Sequence, residues 1–216
     1  TAPTQISQES LRTSHRLRNK WGHYLSGVIY YEGEWYWGID RLHHLEDRLH
    51  SLGLSKQTHL AREGQRAPLF LTPQFQSLGP VPEGTSIDFF LSLRRPYSAI
   101  SCAKLFPWAK ANGVQINLRY VLPMVMRGLP VPAEKRKYIS LDAAREAFVQ
   151  GVPFGRLNDP VGKPTERGLA LIPFAQMHEL AEDYVMSFMQ GVWSEGLDAG
   201  TDAHLKIIVE RCGLHW

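Results

Sequence analysis

Arg94 and Arg95 stand just ahead of Pro96-Tyr97-Ser98, between an apolar run (Ile87-Asp88-Phe89-Phe90-Leu91-Ser92-Leu93) and a helix-forming stretch. Proline suits the first helical position because its missing N–H would go unpaired there anyway. The next amides face whatever occupies the mouth, and the helix dipole favours an anion. The residue before the proline therefore decides what such a turn can do. Arg95 is neither a thiol nor a hydroxyl, but a guanidinium forks a carboxylate well. A cation at a helix N-terminus is disfavoured by roughly 0.3–1 kcal/mol. An anionic ligand would offset that cost, as would solvent or an acid such as Asp88. Ser98 and Ser92 are the nearby hydroxyls. Ser98, in the first turn, can line the mouth or bond its own backbone. Tyr97 can stack on a ligand or pack as an ordinary aromatic.

Other candidate groups are scattered. Asp40, next to Arg41, is a helix N-cap candidate. Lys135 and Tyr138 share a helix face at their three-residue spacing, as on many surface helices. His43, His44 and His50 do not make a metal site: adjacent residues diverge by about 100° on a helix, and no Cys or paired His joins them. Cys102 and Cys212 form no C-x-x-C pair, which argues against thiol–disulfide exchange. They read as buried free thiols in a reducing cytoplasm rather than a disulfide. Trp35, Trp37 and Trp193 read as core or interface aromatics.

The elements that must position these groups follow from spacing. A polar helix from Ser7 to about Trp21 offers Leu11, Leu17 and Trp21 as inward residues. Val28-Ile29-Tyr30-Tyr31 and Glu34-Trp35-Tyr36-Trp37, split by Glu32-Gly33, read as a hairpin. Leu42, Leu45, Leu49 and Leu52 recur at helical spacing until Gly53. Residues 53–85, with Pro68, Pro73, Pro80 and Pro82, read as a connector of unusual length. Residues 86–93 form a strand apolar on both faces, as a central strand is. A helix follows from Pro96 to about Asn112, kinked at Pro107, then a strand over 114–121. Tyr138, Leu141, Ala144 and Phe148 mark a helix over 133–151. One long helix runs from near Gly168 or Pro173 to Trp193, its apolar face carrying Leu180, Tyr184, Phe188 and Val192. A last helix over 202–212 turns Leu205, Ile208 and Val209 inward.

At 216 residues the chain can bury a sizeable core. Its net charge of +3 comes from scattered Lys and Arg, without a basic stripe carrying interleaved aromatics, so nucleic acid is not an expected partner. No apolar run approaches the roughly 20 residues that cross a bilayer. Thr1 to Gln8 lack a charged-then-apolar pattern, so neither a secretory signal nor a membrane is expected, and the location read from the sequence is cytoplasmic.

Phe-Phe-Leu-Ser-Leu-x-x-Pro-Tyr-Ser at 89–98 resembles the first strand and active-site turn of DsbA-type thioredoxin-fold proteins. It is most similar to the branch of kappa-class glutathione transferases and 2-hydroxychromene-2-carboxylate isomerases. Trp35-Tyr36-Trp37-Gly38-Ile39-Asp40-Arg41-Leu42 resembles that branch's closing hairpin motif. Val192-Trp193-Ser194-Glu195-Gly196 resembles its insertion motif. The matches cover about 26–52 and 86–214. The resemblance implies an α/β thioredoxin-like fold of DsbA/kappa type, a central mixed sheet with an inserted α-helical bundle.

The halves stand in reversed order: 1–52 as the hairpin-and-helix half, 53–85 as linker, 86–123 as the strand–helix–strand half, and 124–216 as helical insertion. A circular permutation, a tandem two-domain parent, or two chains exchanging halves as a homodimer each explain this order. Extended, the linker reaches roughly 100 Å at about 3.3 Å per residue, so one unit can close on itself. The expectation is an intact unit in which the hairpin docks beside the 87–93 strand.

The resemblance further implies glutathione as cofactor. Arg95 takes the place of the branch's serine and, with Ser98, is the catalytic candidate. Asp40, Arg41, Pro96, Tyr97 and Lys135 are the glutathione-binding candidates, with Asp142 and Tyr138 completing the stretch around Lys135. Ile39 departs from the small or polar residue usual before the aspartate, and Gly27 stands where the branch keeps a cis-proline. Two functions follow: a glutathione-dependent isomerase or transferase acting on a small aromatic or anionic substrate, or a catalytically degenerate DsbA-like binding or interaction domain without redox activity.

Overall fold

The computed structural model describes residues 4–54, 79 and 81–216. Most of the long connector expected over 53–85, residues 55–78 and 80, therefore lies outside the described residues. The chain divides into two compact units, Thr1–Gln74 with Pro132–Tyr138, and Phe75–Val131 with Ile139–Trp216.

The first unit opens with α1 (Gln5–Trp21). Thr4 caps it by accepting the Ser7 N–H, and Gly22 ends it in left-handed backbone. Strands β1 (Val28–Tyr31) and β2 (Glu34–Trp37) pair antiparallel, Val28 opposite Trp37 and Tyr31 opposite Glu34. Glu32 and Gly33 have φ of 42° and 90°, the positive pair that a tight two-residue hairpin turn demands. A 3-10 turn over Ile39–Arg41 leads into α2 (Leu42–Ser51).

Two expectations are corrected here. α1 buries none of its residues: Leu11 is 53% and Trp21 42% exposed, so its apolar positions are not inward. Asp40 does not cap α2. The inserted 3-10 turn moves the helix start past it, and the cap position is Arg41, whose side chain makes no capping bond to the helix.

In the second unit, β3 (Ser86–Leu91) and β4 (Gln115–Tyr120) pair parallel, Ser86 opposite Gln115 and Leu91 opposite Tyr120. The crossover between them is α3 (Pro96–Ala111), which continues through Pro107. Four helices include α4 (Ala133–Val149), which begins in the first unit, then α5 (Lys163–Met177), α6 (Ala181–Trp193) and α7 (Asp202–Arg211).

The long helix expected up to Trp193 is two helices. Glu179, at φ 59°, reverses the chain between α5 and α6 although the apolar spacing carries on across the break. Helix α6 is the centre of this unit. Tyr184, Val185, Phe188 and Val192 are sealed from solvent, packed with Leu91 and Leu93 of the β3 end, Cys102 and Phe106 of α3, Ile172 of α5, and Leu205 and Ile208 of α7. Burial of each such large side chain contributes about 1.5–3 kcal/mol.

The expected single mixed sheet is not formed. The strands among the described residues make two separate two-stranded sheets, β1 with β2 and β3 with β4. Hairpin pairing is local and is satisfied within ten residues, whereas an apolar run does not by itself specify a distant neighbour. β3 is accordingly not buried on both faces; Phe90 is 68% exposed. No helix among the described residues is long and apolar enough to cross a membrane.

Candidate functional site

The end of β3 is held before it turns. Leu91 and Leu93 are fully buried, and the Leu93 carbonyl accepts the indole N–H of Trp193 at 3.2 Å. The Arg95 N–H reaches back to the Ser92 carbonyl at 3.0 Å, closing the turn. Arg95 is extended, at φ −101° and ψ 113°, as a residue before proline must be, and Pro96 opens α3. Arg95, Pro96, Tyr97 and Ser98 thus form one continuous corner with α3's amino end.

The two arginines of this corner do different things. Arg94 forks Asp159, with Nε to Oδ1 and Nη2 to Oδ2 both at 2.6 Å. Asp88, the acid the sequence offered for this pair, is instead bonded by Arg119 at 3.0 Å. Arg95 is exposed, and its guanidinium meets no acid among the described residues. One cation is structural, and the other is left at the mouth.

The hydroxyls and thiols turn away from it. Ser98 is buried, and its Oγ accepts the Ser92 N–H at 3.4 Å, so it is spent on holding the turn. Cys102 is buried, and burial pushes its thiol far above the ordinary range, which leaves it inert. Cys212 is half-buried and also raised by burial. Both cysteines are free.

Tyr97 is a strut. Its hydroxyl donates to Oδ2 of Asp142 at 2.6 Å, while Arg145 donates to Oδ1 at 3.2 Å. Asp142 is 1% exposed, so its charge relies on these donors. Asp142 therefore serves the corner through Tyr97.

Asp40, Arg41 and Lys135 belong to the first unit. Arg41 Nη1 donates to Asp40 Oδ2 at 2.8 Å, and the Asp40 side chain keeps 63% of its exposure. Gly38 is required beside it: its φ is 82°, and a Cβ there would lie 2.8 Å from Asp40 Oδ1. Gly27, also left-handed at φ 68°, accepts the Gly38 N–H at 3.2 Å and closes the base of the hairpin. Lys135 Nζ lies over the Tyr24 ring, 5.9 Å from its centroid, and the Tyr138 hydroxyl accepts the Trp37 N–H at 3.2 Å. His43 and His44 are buried with ring centroids 4.0 Å apart. Trp193 is a core residue, Trp35 is half-buried and Trp37 is exposed.

Sequence reasoning missed Asp159 and Arg145. Nothing local marks an acid 65 positions from its arginine. Arg145, however, stands three residues after Asp142, a helical pairing distance that was legible.

No family model and no curated protein matches this sequence. Among solved structures, a 2-hydroxychromene-2-carboxylate isomerase is similar, with a TM-score of 0.50 at 19% identity, over 60% of this chain and 66% of that one. A Nitrosomonas europaea protein provisionally named a protein disulfide isomerase gives 0.47 at 13% identity, over 62% and 67%. The matched part of the chain thus spans just under two-thirds of the isomerase's length. The likeness to the isomerase is one of fold alone.

Proposed function

We propose that this chain is a glutathione-binding protein built on the isomerase-type scaffold, with Arg95 at the mouth of α3 as the group that attracts the anion. One observation carries the reading: Arg94 is consumed by Asp159, whereas Arg95 is exposed at a helix amino end and meets no acid among the described residues. The residues present fit such a ligand. A guanidinium favours a thiolate or carboxylate, and Pro96 presets the helix start beside it.

Glutathione, when bound, supplies a sulfur nucleophile. Arg95 lowers the cost of negative charge beside it, a role that a hydroxyl would fill by hydrogen bonding. Ser98 keeps the turn in shape. The expected activity is isomerisation or conjugation of a small aromatic or anionic electrophile.

A binding domain without chemistry is the second reading. The inward hydroxyl of Ser98 and the buried thiol of Cys102 favour it, since neither can act as nucleophile. Conjugation of a generic electrophile separates the two. The first reading expects glutathione-dependent turnover that falls at least tenfold in Arg95→Ala and is unmoved in Arg94→Lys. Binding of glutathione without turnover supports the second. Absence of both refutes the glutathione reading.

A further inference from the structure

His23, in the turn that follows α1, is used by none of the chemistry above. It is 2% exposed. Its Nδ1 accepts the Leu25 N–H at 3.1 Å, so the neutral ring carries its proton on Nε2. That atom is buried without a hydrogen-bond partner. Aromatic rings wall it in: Tyr24 nearly parallel at 4.9 Å, Trp35 tilted at 4.7 Å, and Tyr138 edge-on at 5.0 Å.

Arg18 of α1 acts on this ring electrostatically, and its Nε is itself buried without a partner. Lys135, from the start of α4, sits over Tyr24. Glu34 of β2 is engaged by Arg48 and by the Tyr36 hydroxyl, both at 2.7 Å. The titratable rings facing His23 are Tyr24 and Tyr138. A second proton would go to Nδ1. It would break the Leu25 bond and leave two N–H donors facing rings and cations.

The turn matters because it joins α1 to the hairpin. None of α1's residues is buried. It joins the hairpin through Trp21, whose ring stacks on Tyr30 at 4.4 Å and whose carbonyl accepts the Trp35 indole N–H at 3.1 Å. The His23 N–H closes the helix end on the Arg18 carbonyl at 3.1 Å.

We propose that His23 is a proton-operated latch: neutral, it clamps the end of α1 to the hairpin, and protonated, it opens the 22–27 turn and releases the helix. Burial outweighs the opposing backbone bond at Leu25 and, with Arg18 adding to it, holds the imidazole below the ordinary value of 6.5. The neutral form is thus the folded one above that value. The latch opens as the pH falls through the lowered one.

Hydrogen exchange of the full chain at pH 7.5 and 5.0, corrected for intrinsic rates, tests this. Residues 5–25 of the wild type should lose protection at least tenfold at pH 5.0 while α6 is unmoved. In His23→Asn the side-chain oxygen can still accept the Leu25 N–H but cannot titrate, so protection should persist at both values. Equal protection of the wild type at both pH values overturns the latch, as does a loss in His23→Asn equal to the wild type's. Should that variant be unprotected throughout, nitrogen NMR of wild-type His23 decides. A midpoint below 6.5 from an Nε2–H tautomer supports the latch, and one at or above 6.5 overturns it.

Discussion

Replacing Gly168 with alanine tests how tightly the helices that carry the Arg94–Arg95 corner are packed. In the interior of a helix this change ordinarily gains about 1 kcal/mol. Here the added Cβ would collide with the Cε2 edge of Phe188 and lie 2.7 Å from Leu93 Cδ1 and 2.8 Å from Phe188 Cζ. Neither neighbour has room to yield. Both are fully buried, Phe188 is set against Tyr184, and the Tyr184 hydroxyl already donates to the Gly168 carbonyl at 2.9 Å. Overpacking of this kind costs typically 1–3 kcal/mol, and two fixed contacts put it at the upper end. The net expectation is a loss of about 1–2 kcal/mol, or a melting point lower by roughly 2–8 °C for a chain of this size. Thermal and urea unfolding followed by circular dichroism would read it. Phe188→Leu in the same chain should recover part of the loss, because it removes the ring edge. A Gly168→Ala protein as stable as the wild type, or more so, would refute the packing argument.

Two further outcomes are expected. Tyr97→Phe should cost about 1–3 kcal/mol in urea unfolding, since it takes a donor from a buried carboxylate, Asp142. Burial alone would raise the carboxyl of Glu195, but the Arg211 bonds at 2.6 and 2.7 Å and the Gln190 amide hold it below its ordinary 4.5. Its folded value is depressed, so its contribution is present above 4.5 and is lost as the pH falls through the lower value. The urea midpoint should therefore drop between pH 5 and pH 3, and Glu195→Gln should flatten that drop.

What the sequence revealed was local. The Glu32-Gly33 dipeptide predicted a hairpin because few residue pairs accept two positive φ values in succession. Leu205, Ile208 and Val209 were placed inward correctly because one helix face carries them. The break at Glu179 was invisible: no proline or glycine marks it, and the apolar period runs straight through. α1 failed for the opposite reason, since helical spacing reports which side could be covered and not whether anything covers it. The partition of four strands into two sheets depends on pairings between distant segments, which no local pattern encodes. At the corner the Arg-Arg-Pro order was legible, but the separate fates of the arginines were decided by Asp159, far along the chain. Ser98 could have faced either way, and the need of the Ser92 amide settled it.

Calorimetric titration of glutathione into wild type and Arg95→Ala tests most directly whether Arg95 is the anion-recruiting group of the corner. Saturable heat with the wild type, weakened at least tenfold in the variant, is the predicted result. No heat at millimolar glutathione, or equal affinity in both proteins, would contradict it.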